Sequence, residues 1–234
     1  MRNKLFQFVW YFFVKPFVPR GSKTIVNPVI RNERRIRAQV RLAKMFGGID
    51  GCMAGDSNGE VFARFSVMRK FSGLVINISQ GGSTASDWID YFADTTSGGR
   101  VYSDIMGDCA DAIVWNIGGN YILLGRLDDA AHGITTLHRL FPFAWWCTIP
   151  PLYDAVLAAL SKLASFPERD QRYYDEGTLY VNGIISTVCR PMVIDIYKAF
   201  CMVSGDPIPG ALKDMVHFSN QAVTVIRRVV GGAI

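Results

Sequence analysis

The chain has 234 residues, half of them apolar and 12% aromatic, enough for a sizeable core and incompatible with a disordered chain. Its net charge of +5 averages two unlike parts: residues 1–45 hold eleven Lys/Arg and one acid, Glu33, whereas the remainder carries fourteen basic and nineteen acidic side chains. The five cysteines (Cys52, Cys109, Cys147, Cys189, Cys201) are scattered, without a CxxC or a Cys/His cluster, so neither a metal site nor a disulfide framework is indicated and a reducing compartment is the simpler reading.

Residues 1–18 open with Arg2 and Lys4 and continue as an apolar, aromatic run in which only Gln7 is polar, closed by Lys15-Pro16. The run is far short of the ~20 apolar residues of a spanning helix. No small-x-small cleavage site follows it, which speaks against a signal peptide. Trp10, Tyr11 and the phenylalanines suit a membrane interface, where aromatic rings settle; packing on the body is the alternative. Residues 19–28 read as a linker. Residues 30–46 predict a basic helix with Ile36, Val40 and Ala43 on one face, and with Arg34, Arg37, Arg41 and Lys44 largely on others. Such a helix is either a solvated surface element or one that lies on anionic lipid. The chain therefore divides into a basic, aromatic arm at 1–45 and a domain at 46–234. The expected location is cytoplasmic, peripheral to the inner face of a membrane, rather than secreted, with an anionic membrane surface as partner and no nucleic acid.

From residue 46 the pattern alternates. Strands are predicted at 49–54, 73–78, 112–117, 143–149 and 192–197, and helices at 58–70, 86–94, 154–166, 171–188 and 220–230. Five apolar runs separated by helical stretches imply a parallel sheet covered on both faces, a three-layer α/β/α domain.

Four polar clusters follow the strands or stand near the C-terminus. Gly55-Asp56-Ser57 ends the first strand, and Ser57-Asn58-Gly59-Glu60 reads as a capping box. Ser57 can equally be a nucleophile at a helix start, where backbone N–H groups favour a developing anion. Ser79-Gln80-Gly81-Gly82-Ser83-Thr84 follows the second strand, Gly118-Gly119-Asn120 the third, and Asp214-Met215-Val216-His217 lies near the end. Each alone is an ordinary loop, cap or surface turn. Together they supply a hydrolytic set. His217 can take the Ser57 proton, with Asp214 fixing the imidazole tautomer. The Ser57 and Gly82 backbone N–H groups and the Asn120 amide can aim three donors at an oxyanion. His132 and His138 stand in a segment without matching partners.

The set resembles the SGNH hydrolases, the GDSL esterase/lipase family, over about residues 46–234. The Gly-Asp-Ser block matches Gly55-Asp56-Ser57; the Asn-x4-Gly block matches Asn77 and Gly82; Gly-x-Asn matches Gly118-Gly119-Asn120; Asp-x-x-His matches Asp214 and His217. The chain departs from the pattern at Asn58, where the family has Leu, at Tyr121, where Asp is frequent, and at Phe218, where Pro is frequent. The resemblance implies a flavodoxin-like parallel five-stranded sheet and a serine hydrolase that cleaves carboxylic esters through an acyl-enzyme without metal or cofactor. Its implied substrate is an acyl lipid or an acetylated glycan, by hydrolysis or, for a glycan, acetyl transfer. A non-catalytic, membrane-associated binding protein on the same fold is the reading of a different class. The arm has no counterpart in the family's core.

Overall fold

The computed structural model describes residues 2–64, 74–93, 113–152 and 169–201, together with 208, 219, 222, 225, 226 and 229. Each strand is apolar on both faces, the composition of a parallel sheet buried between helices. The strands are β1 (Gly51–Gly55), β2 (Val75–Asn77), β3 (Ile113–Asn116), β4 (Trp145–Cys147) and β5 (Val193–Ile194). They form one sheet in the order β2-β1-β3-β4-β5, with every pair parallel. The chain steps from β1 to one side for β2 and to the other for β3. That reversal opens a crevice at the carboxyl ends of β1 and β3, where open α/β sheets receive ligands.

Period-two alternation sorts the strand residues into two cores. On one face Cys52, Ala54, Ile76, Ile113, Trp115 and Trp146 join the larger core. On the other, Met53, Val75, Val114, Cys147 and Ile194 pack with Ile196, Phe200, Ala222 and Ile226. The larger core is aromatic at its centre: Trp115 lies 5.4 Å from Trp88, 5.5 Å from Phe141 and 5.9 Å from Trp146, ring centre to ring centre. These are the separations at which offset and edge-on aromatic pairs attract.

The N-terminal segment starts as helix α1 (Arg2–Val9), continues through a π-helical turn (Trp10–Val14) and ends in a 3₁₀ turn (Lys15–Phe17). Phe6 and Trp10 are buried in the same core as the sheet. Gln7 Nε2 donates to Val75 O on the edge strand β2 at 3.3 Å, and Arg2 pairs with Asp50. Helix α2 (Pro28–Arg31) is capped by Asn27, whose Oδ1 accepts from the N–H groups of Val29 and Ile30. Helix α3 (Glu33–Met45) buries Ile36, Gln39, Val40 and Ala43. Leu5, Phe8, Phe12, Phe13 and Phe17 face solvent.

The remaining helices are α4 (Ser57–Arg64), α5 (Ala85–Ala93), α6 (Gly119–Leu123), α7 (Leu127–Leu140), α8 (Gln171–Val188) and α9 (Ile196–Phe200). Several bounds differ from the expected ones. β5 is two residues long because Asp195 caps α9, accepting from Lys198 N–H at 3.0 Å and ending the extended run. β4 is confined to Trp145–Cys147. Helix α7 is absent from the sequence reading. Gly133 interrupts its apolar stripe, and glycine is required there because a Cβ would collide with the Tyr121 hydroxyl. The helix expected at 154–166 lies outside the described residues, and so does most of the one expected at 220–230.

Candidate active site

The site begins with a glycine. Gly55 closes β1 at φ +145°, and a Cβ there would collide with Asn116 O on β3. Only glycine permits both the angle and the approach. The approach lets Asp56 N–H donate to Asn116 O at 3.0 Å, which pins the turn to the central strand pair.

Helix α4 starts at Ser57, so its cap is Asp56. The buried Asp56 accepts from Asn58 N–H at 2.9 Å through Oδ1. Burial pushes the Asp56 carboxyl up to about 7, with a smaller contribution from the charge of Glu60, against hydrogen bonds from Asn58 and Gly59 that pull it down. The capping box expected of Ser57 and Glu60 is therefore not formed in that way. Asp56 takes the capping role, and Glu60 Oε1 reaches across to accept from Gly81 N–H at 2.6 Å. Ser57 is half-buried at the helix start.

The loop after β2 is fastened to this turn at several points. Asn77 Nδ2 donates to Gly59 O at 2.7 Å while its Oδ1 accepts from Ser79 N–H at 3.0 Å. Gly55 O accepts from Gln80 N–H at 2.8 Å and from Ser83 Oγ at 2.9 Å. Ser83 Oγ in turn accepts from Trp88 Nε1 at 3.2 Å. These bonds bring the loop onto the nucleophile candidate: a Cβ on Gly81 would stand 3.6 Å from Ser57 Cβ. Gly82 is exposed at φ +84° with open space around it. Among the described residues its N–H has no acceptor.

The third cluster arrives from β3. Gly118, at φ +141°, packs so tightly that a Cβ would come within 2.9 Å of Val181 Cγ1. A Cβ on Gly119 would lie 3.9 Å from Asp56 Oδ2, so this turn sits beside the first. Asn120 is buried in the first turn of α6, and its Nδ2 donates to Ser83 O at 2.8 Å. One amide hydrogen is thereby spent on the second loop, and the geometry of an NH₂ group leaves another.

The turns that carry Ser57, Gly82 and Asn120, read from separate segments, are therefore fastened to one another at the carboxyl ends of β1, β2 and β3. Asp214 and His217 lie outside the described residues. His132 is exposed on α7, and His138 is partly buried on the same helix with its ring 6.3 Å from that of Trp146. Among the described residues no group of three or more His, Cys, Asp or Glu could hold a metal. The sequence reading missed Ser83 and Glu60 as the fasteners of the loops. Ser83 adjoins the Gly81-Gly82 pair, but no local pattern marks a serine for bonds to Gly55 O and Asn120.

Several solved structures share this fold. A GDSL-like lipase from Bacteroides thetaiotaomicron aligns with a TM-score of 0.61 at 13% identity, over 88% of this chain and 97% of its own. A catalytic mutant of an acetylxylan esterase from Geobacillus stearothermophilus aligns with a TM-score of 0.53 at 16% identity, over 80% of this chain and 94% of its own. The OSK domain of Drosophila Oskar aligns with a TM-score of 0.53 at 14% identity, over 79% of this chain and 88% of its own. No protein-family model matches the sequence, and no curated protein does.

Proposed function

On a chain with the fold of GDSL-type lipases and esterases, we propose that Ser57 is the nucleophile of a serine ester hydrolase. The observation that carries the reading is the convergence at Ser57: Gly81 lies against its Cβ, Gly82 offers an N–H with no acceptor among the described residues, and Asn120 is tied to the same loop through Ser83 O. In the reaction Ser57 Oγ attacks the ester carbonyl while His217 takes its proton and Asp214 steadies the imidazolium. The Ser57 and Gly82 N–H groups and the second Asn120 amide hydrogen receive the oxyanion. Collapse expels the alcohol, which takes the proton from His217. Water, deprotonated by His217, then releases the acid from the acyl-enzyme.

The substrate reading that fits best is an acyl ester at a lipid surface. Leu5, Phe8, Phe12, Phe13 and Phe17 are exposed on the arm, 51% to 80% of each residue's surface being accessible. Such aromatic groups favour the bilayer interface. Among the described residues no helix is long and apolar enough to cross a membrane, and peripheral attachment to the inner face fits the same pattern. An acetylated glycan is the second substrate class, favoured by the fold shared with an acetylxylan esterase.

Fluorophosphonate labelling tests the reading. The natural chain should take the label and hydrolyse soluble esters. Ser57→Ala should do neither while keeping its circular dichroism spectrum, and His217→Ala should lose nearly as much, because such residues act as a unit. Full labelling of Ser57→Ala would refute the nucleophile assignment. A natural chain that is folded, unlabelled and inactive would support a non-catalytic binding protein instead.

A further inference from the structure

A cavity of about 270 Å³ opens between the N-terminal arm and the loop after β2. That is near the lower end of the volumes that small-molecule sites occupy. The arm supplies Lys15, Arg20, Arg31 and Arg35 to its wall, and the body supplies Glu60 and Gly81. Gly81 is also the residue that lies against Ser57, so the cavity adjoins the candidate active site.

The charges in this wall are not balanced within the described residues. Glu60 is the one acid there, and its Oε1 already accepts from Gly81 N–H at 2.6 Å. Arg35 Nε is spent on Val18 O at 3.0 Å, which holds the linker in place. Arg20 and Arg31 have no ion-pair partner among the described residues. Burial, with the repulsion of Arg20 next, pushes Arg35 below its ordinary value. Gln39 adds an uncharged donor. It lines the cavity, and its side-chain amide has no hydrogen-bond partner among the described residues. A cluster of like charges is costly, and an amide facing the cavity keeps its N–H donors for a ligand. One ligand chemistry answers both: an anion with several acceptor oxygens. Guanidinium groups present forks of N–H donors that match phosphate.

We propose that this cavity is an anion subsite that receives a phosphate group on the alcohol part of the ester substrate and so places its acyl carbonyl at Ser57. The proposal rests on the ester-hydrolase reading for the role of the subsite, but not for its binding of phosphate. Arg20 and Arg31 hold the phosphate, Gln39 donates to it, and Arg35, through its bond to Val18 O, keeps the linker in place.

Two measurements test this on the full chain. The first compares kcat/KM for the acetyl ester of glycerol phosphate with that for the acetyl ester of glycerol. The phosphate ester should be preferred. The preference should fall by about tenfold in Arg31→Gln and again in Arg20→Gln, the size of one lost charge-assisted hydrogen bond each. The second titrates inorganic phosphate into Ser57→Ala, where binding should be present, and into Ser57→Ala carrying both arginine substitutions, where it should be lost. This arm holds even if no ester is turned over, in which case the hydrolase reading fails and the subsite is judged alone. Equal use of the two esters by the natural chain, or a preference unchanged by the substitutions, would overturn the proposal. So would arginine variants that lose binding to phosphatidic acid vesicles while keeping the preference, because the cavity would then hold a membrane headgroup and not the substrate.

Discussion

Substituting Asp56 by Asn tests whether the turn before Ser57 is built on a buried, easily protonated carboxyl. Asn keeps an oxygen to accept from Asn58 N–H, so the cap survives while the titration is removed. Asp56 is 4% exposed and its carboxyl is pushed up to about 7, from 3.8 for an ordinary aspartate. The folded value therefore lies above the unfolded one. Between pH 4 and pH 7 the native state binds more protons than the unfolded chain, so this group's contribution to stability falls as pH rises. It is complete below the unfolded value and is lost by the time pH passes the folded value. A difference of about three pH units at 1.36 kcal/mol each sets a ceiling of about 4 kcal/mol. Urea unfolding from pH 4 to pH 8 on the natural chain and on Asp56→Asn should show the variant gaining relative stability as pH rises, by up to that amount. Taking the difference between the two profiles cancels the other titrating groups. If the two profiles run parallel across this range, Asp56 does not titrate within the fold as its burial requires, and the account of the cap is wrong.

Two further outcomes follow from the site and the arm. Asn120→Ala should lower kcat by roughly 10²–10³ with little change in KM, as for other lost oxyanion donors; steady-state kinetics on a soluble ester reads this, and an effect confined to KM would leave Asn120 as an anchor for Ser83 O alone. Phe12→Ser combined with Phe13→Ser, at positions 67% and 61% exposed, should leave thermal unfolding nearly unchanged but weaken binding to anionic vesicles in a sedimentation assay; unchanged binding would remove the arm's exposed aromatics from membrane contact.

What the sequence by itself determined was everything set by short-range pattern. Apolar runs of strand length, each between helical stretches, required a parallel sheet, because a strand buried on both faces has no polar alternation. Gly55, Gly82 and Gly118 could be placed at tight turns, and the blocks around them set Ser57 and Asn120 at strand ends. Only the tertiary structure decided which of several chemically equivalent residues does which task. Ser57 and Asp56 are both good caps by type; the buried carboxyl of Asp56 takes the bond to Asn58 N–H because the turn is drawn in against Asn116 O. Glu60 is placed for a capping box by spacing but meets Gly81, twenty-one residues on, once β2 lies beside β1. In the arm nearly every residue from Leu5 to Val14 is apolar, so periodicity marks no buried face. The fold buries Phe6 and Trp10 and leaves Phe8, Phe12 and Phe13 in solvent, since only the first pair meets the sheet's core. Local pattern specifies elements and their ends; partners far apart in the chain are chosen by the packing that brings them within reach.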